Sequence, residues 1–272
     1  MIDLLTYEFI QHAILAAILV SIACGIIGTY VVINRIVFIS GGIAHIAFGG
    51  LGAAYYLGFN PLIGASSISL LSALGLGWMD CQGNEREDTI IGILWALGMA
   101  IGSIFISLSP GYAPDLMSYL FGSILTVSSQ DLSFMLAWDL IILFFVTFFF
   151  KQFQAISYDR EYARTRGIPV HALYTILLLL IAITVVMLIQ VMGALLLIAL
   201  ITIPVTIANI FSQSIRKIMV CSFFISLVFT LSGLWLSYFF NLPSGAVIVV
   251  VAGGSYMILK GFQVRKDYRR TT

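Results

Sequence analysis

Long apolar stretches separated by short polar ones set the pattern of this chain. A helix that crosses the hydrocarbon core of a bilayer needs about 20 mostly apolar residues. Phe9 to Ile33 has that length, interrupted only by Gln11 and His12. From Ile36 to Met79 there is no Asp, Glu, Lys or Arg, which leaves room for two spans joined by the turn Gly58-Phe-Asn-Pro61. Thr89 to Leu108 and Leu132 to Phe150 supply a fourth and a fifth. After a polar segment come His171 to Ile189, Gly193 to Phe211, Ile218 to Phe240 and Leu242 to Leu259. The pattern predicts about nine spans, or eight where closely spaced ones merge. Leu116 to Val127, behind Pro110 and Pro114, is too short to cross and reads as a re-entrant or surface half-helix.

Composition agrees. Hydrophobic residues make up 61% of the 272 positions and charged ones 9%, whereas soluble domains carry about a quarter charged residues. So few charges cannot cover a water-exposed surface. The expectation is an all-α, polytopic transmembrane bundle forming a single domain over residues 1–272, in contact with lipid. Soluble enzymes and secreted disulfide scaffolds are excluded as whole-chain readings. A net charge of +1 gives no reason to expect nucleic acid. The three cysteines, Cys24, Cys81 and Cys221, show neither CxxC nor finger-like spacing. Asp3 and Glu8 stand where a cleaved signal would carry Lys or Arg, so the N-terminus does not read as a signal peptide.

The charges also orient the bundle. With the N-terminus outside and nine alternating spans, all 13 Lys and Arg fall on the inner side, as the positive-inside rule requires. A crossing at Leu116–Val127 would send Lys151 and the arginines of the 160s outside. The expected location is the prokaryotic cytoplasmic membrane.

Among membrane functions, an intramembrane enzyme lacks its motifs: there is no HExxH. A channel needs a filter, and Phe121-Gly122 does not resemble one. A self-powered carrier favours several buried carboxylates, and Asp139 is the one well inside a span. GxxxxGK[ST] does not occur, so ATP-driven transport would need its ATPase on another chain. The segment 157–169, Ser-Tyr-Asp-Arg-Glu-Tyr-Ala-Arg-Thr-Arg-Gly-Ile-Pro, concentrates five charged residues between two spans. Arg160 and Arg164 share a helical face, and Gly167 and Pro169 stop the helix. Two readings stand: a solvated helix covering the bundle end, or a dock for a separate ATPase. In the second, Tyr158, Tyr162 and Ala163 enter a cleft while the charges set orientation.

Five stretches, in order over nearly the whole chain, carry a resemblance. They are Arg35–Gly50, Glu87–Gly92, Tyr119–Leu125 with Val127 and Asp131-Leu132, Tyr158–Ala163 with Gly167-Ile168, and Gly193–Pro204. The chain resembles the membrane permease subunits of ATP-binding-cassette importers for zinc, manganese or iron. The resemblance implies a homodimeric permease with a cytoplasmic ATP-binding subunit and an extracytoplasmic metal-binding protein. It also implies that Tyr158, Asp159, Glu161, Tyr162, Ala163, Arg164 and Gly167 belong to the coupling segment. Nothing in it implies a permanently bound cofactor; the divalent ion, zinc first, is cargo. Alternatives are an importer of a larger metal chelate, and a channel or secondary carrier working without an ATPase.

Many relatives carry Asp one helical turn before the span-two histidine, where this chain has Gly41. His45 lies near the middle of its span, where an ionisable group is costly unless it faces protein or water. It is either a ligand on the ion's path or a neutral side chain bonded within a tight helix contact. Gly41, Gly49 and Gly52 lie on its face and suit close helix packing. Asp139 is either a pathway carboxylate or paired within the bundle, and His12 reads as interfacial. Gly98 and Gly102 form a GxxxG of packing type. Pro204 is expected to kink its span and is a candidate hinge.

Overall fold

The computed structural model describes residues 7–81, 87–109, 122 and 124–271. Ten α-helices and one 3-10 turn account for almost all of them, and no strand occurs among the described residues. The first four helices are α1 (Glu8–Ile33), α2 (Val37–Tyr56), α3 (Pro61–Cys81) and α4 (Glu87–Leu108). A 3-10 turn at Ile124–Thr126 leads into α5 (Ser129–Phe148), α6 (Phe150–Tyr158) and α7 (Arg160–Thr165). The chain ends with α8 (Val170–Phe211), α9 (Ile215–Phe240) and α10 (Ser244–Thr271).

Among the described residues, eight helices are long and apolar enough to cross a membrane. The span expected over Gly193 to Phe211 is, as Leu196–Phe211, an apolar helix of fewer than 18 residues. The non-helical backbone of Gly193 separates it from the first part of α8, and the Tyr158 hydroxyl donates to the Gln213 carbonyl at 3.3 Å, so the second part runs back to the inner end. The expected half-helix at Leu116–Val127 lies largely outside the described residues. Within it, Ile124–Thr126 form the 3-10 turn.

Within the spans, every backbone group must be satisfied without water, which favours helices. Buried hydroxyls follow the same logic by bonding the carbonyl one turn back. Ser21 donates to Ala17, Thr29 to Gly25, and Thr184 to Leu180. Helices α1 and α2 and the first part of α8 form the centre, being 67%, 72% and 67% buried, against 22% for α4 and 17% for α10.

Small residues set the closest approaches. A Cβ at Gly49 would lie 2.9 Å from the Gly98 carbonyl oxygen, and one at Gly52 2.6 Å from that of Gly102. The glycine face of α2 therefore fits the GxxxG of α4, as expected of packing glycines. On its other side, Gly50 meets Gly64 of α3 backbone to backbone.

Contacts at the two ends test the alternation of spans. Asn34, after α1, donates to the hydroxyl of Ser157 at 3.0 Å. Asp80, ending α3, pairs with Arg160 at 3.0 Å. These ends and the 160s thus share one side, as the charge rule requires. At the other side His12, near the start of α1, meets the Val127 carbonyl at 3.3 Å.

Candidate functional site

A cavity of about 280 Å³ opens between α2, α3, α4 and the break of α8. Apolar side chains such as Phe48, Leu51, Val186 and Ile189 line most of it. Its polar or polarisable groups are His45, Asn60, Gln190 and Met99. His45 is half-buried and stacks on Trp95 of α4, with ring centroids 4.1 Å apart and planes 14° from parallel. Phe38 lies 6.0 Å away on the same indole. Gly41 faces this ring as well: a Cβ there would be 3.6 Å from Trp95 and 3.5 Å from Ile198. The indole therefore stands against the turn from which an aspartate at 41 would reach toward His45. Among the described residues no three His, Cys, Asp or Glu side chains come together as a metal cage. An ion here would meet one imidazole, amide oxygens, a thioether and water, a neutral set that binds loosely enough to release.

Toward the outer end, Gln190 links the cavity wall to α5 by donating to Asp131. Asp131 also closes a capping box with Ser128, accepting its N–H at 2.9 Å and giving its own N–H to the Ser128 hydroxyl at 3.2 Å. Gly193 has φ 78° and ψ 165°, a conformation open in practice only to glycine. Gly122 comes against the backbone of Met192 and Gly193, too close for a side chain to intervene. The departure from helical backbone in α8 is thus at Gly193, while Pro204 lies within the helical second part.

Asp139 is not part of this cavity. It is 2% exposed, and neither carboxylate oxygen has a hydrogen-bond partner among the described residues. The expected pairing within the bundle is therefore not seen, and the carboxylate does not join His45. His12 is half-buried at the outer end, against Val127 and Ser129.

At the inner end the 157–169 segment resolves into the end of α6, a break at Asp159, and α7. The Asp159 carboxylate caps α7 by accepting the Tyr162 N–H at 3.0 Å, and Gly167 leaves the helix with φ 74°. Tyr158 and Tyr162 are 63% and 53% exposed, and Glu161 projects into solvent. Ala163 is fully buried, so it seats α7 on the bundle rather than facing outward. Arg166 folds back on Tyr162, donating to its hydroxyl at 2.7 and 2.9 Å. Arg160 lies 4.1 Å over the Tyr174 ring and pairs with Asp80. Burial works against its charge, but Tyr174 and Asp80 outweigh it and raise its pKa above the ordinary arginine value.

Sequence reading missed Trp95, Asp80 and His171. Trp95 gives no local sign of its stacking partner, which lies fifty positions earlier. Asp80 does carry a signal: it is the first charge after the apolar run from Ile36 to Met79, and its side chain is only 12% exposed.

With this geometry in view, comparisons with known proteins agree on one family. The model of the ABC 3 transport family matches residues 6–263. An uncharacterized membrane protein of Synechocystis is 49% identical, over 97% of this chain and 94% of its own length. The manganese transport system membrane protein MntC of Listeria monocytogenes is 32% identical, over 92% and 89%. Among solved structures, PsaBC from Streptococcus pneumoniae in complex with Fab superposes with a TM-score of 0.84 at 29% identity, covering 94% of this chain and 93% of that one. The chain is a multi-pass protein of the cell membrane and belongs to the ABC 3 transport family, the importer permeases to which its five sequence stretches pointed.

Proposed function

We propose that the chain is the membrane permease of an ATP-driven importer of divalent metal ions, with zinc first and manganese or iron next. The observation that carries this reading is the cavity holding His45 among the helices of the bundle centre. At roughly 30 Å³ per water, 280 Å³ accommodates an ion that keeps much of its hydration shell. Imidazole suits zinc and serves manganese and iron less selectively. The Listeria relative, named for manganese transport, supports a divalent ion and keeps manganese in the set.

In this reading an extracytoplasmic binding protein delivers the ion to the outer end. It enters past Gln190 and Asn60 and exchanges part of its water for His45. Two copies of the chain form the pathway, and each carries an ATP-binding subunit docked on α7 and the residues just before it, through Tyr158, Tyr162 and the charges of Asp159, Glu161 and Arg164. The hydrolysis belongs to that subunit, since this chain has no phosphate-binding loop. ATP-driven movement of α7 then closes the outer end and opens the inner one. Gly41 and Gly49 keep α2 and α4 packed during the change, and Gly193 is the break about which α8 bends.

The cavity is far larger than a bare ion and is lined without a carboxylate, so an importer of a metal chelate is the second reading. Uptake of isotopic zinc and manganese into vesicles containing the complete complex tests the site. His45→Ala should reduce uptake of free ions at least tenfold while the complex still assembles. Unchanged uptake would remove His45 from the path, and uptake of a chelate alone would favour the second reading.

A further inference from the structure

The inner end holds a polar cluster that links α7 to α3 and α8, two of the helices bordering the cavity. Asp80, closing α3, is its centre. Its Oδ1 accepts from Arg160 Nη1 at 3.0 Å, and its Oδ2 lies 3.3 Å from His171 Nδ1. His171 Nε2 is 3.2 Å from Arg164 Nη2. Arginine only donates, so Nε2 accepts and Nδ1 carries the proton given to Asp80. One neutral tautomer satisfies both contacts. Both arginines of α7, spaced i,i+4, are thereby tied to one carboxylate, directly or through the imidazole. The Tyr174 ring under Arg160 belongs to α8, as does His171.

The joint is stiff on the bundle side. Gly77, one turn before Asp80, lies against the side chain of Thr175, one turn after His171, with no room for a Cβ. At their outer ends the same two helices supply cavity wall: Pro61, Leu62 and Ala65 from α3, and Val186, Ile189 and Gln190 from α8.

We propose that Asp80 is the positioning residue through which movement of α7 is transmitted to α3 and α8, and so to the cavity. The inference rests on the reading of α7 as the ATPase dock. Tyr158, ending α6, and Tyr162 and Glu161 of α7 stay exposed toward a partner, while Arg160 of α7 is held by this carboxylate. Loss of the clamp leaves a dock that still binds its motor but moves without carrying the cavity walls.

The test uses the full importer complex in vesicles and measures zinc ions moved per ATP hydrolysed. In Asp80→Asn, ATPase attachment and hydrolysis should persist while the ratio falls about tenfold, the scale of losing one charge-assisted hydrogen bond from a coupling. Asp80→Glu, which keeps the charge, should recover much of the ratio. Arg160→Lys, which loses the planar fork, should resemble Asp80→Asn. A wild-type ratio in both Asp80→Asn and Arg160→Lys overturns the clamp. Loss of attachment and hydrolysis together with uptake also overturns it, because Asp80 would then merely fold α7. A wild-type complex with no ATP-dependent uptake overturns the functional reading itself, and the clamp with it.

Discussion

At the residue scale, Trp95, Gly41 and His45 meet at the wall of the cavity. Where many relatives of the resembled family carry a carboxylate one turn before the histidine, this chain has no side chain, and an indole from α4 lies alongside. The stacking keeps the imidazole facing the cavity but withholds the anionic oxygen that a hard ion such as manganese prefers. A Cβ at position 41 sits at ordinary contact distance from Trp95 and Ile198, but the carboxyl group beyond it competes with the indole for space, so Gly41→Asp should lower stability by about 1 kcal/mol. Adding Trp95→Ala should relieve that loss and tighten manganese binding, read by thermal unfolding in detergent and by binding of isotopic manganese. If Gly41→Asp alone is neutral and binds manganese no better, the ring does not occupy the place of the acid. His45 was visible in the sequence because an ionisable group deep in an uncharged run is costly. Trp95 was not visible, since an aromatic on a lipid-length helix has no local mark of its distant partner.

At the scale of elements, α8 joins two expected spans across a break. The sequence ends one span at Ile189 and begins the next at Gly193, and the backbone does break at Gly193. It does not reveal that Gly122, about seventy positions earlier, lies against the break, which follows from tertiary contact. Gly193→Ala forces a side chain into a glycine-only conformation and should cost about 1–3 kcal/mol. The expected result is a lower Tm with reduced uptake. Pro204→Ala, within the regular helix, should leave Tm unchanged or raised. A Gly193→Ala protein as stable and active as wild type would mean that the break is not required. Other spans were legible almost to the residue, because length and hydrophobicity alone decide them. The α5 limits moved by two or three positions, its start set by the capping of Ser128 and Asp131, and α10 continues to Thr271, well past the expected Leu259.

For the whole molecule, the two ends carry different chemistry. The outer end gathers Gln190, Asp131, Asn60 and His12 near the mouth of the cavity. At the inner end are the basic residues and the Asp80 cluster beneath α7. The charge pattern was enough to assign these ends, since the membrane sorts Lys and Arg by side. The partners they meet were not legible from pattern, because exposed tyrosines and a short charged helix look alike whether solvated or docked. The central claim is that the bundle is a gate driven by a separate motor at α7. The measurement that tests it most directly is accumulation of isotopic zinc in vesicles holding this chain, with and without its ATP-binding subunit and ATP. Accumulation only when subunit and ATP are both present is the predicted result; accumulation by the chain alone would contradict it.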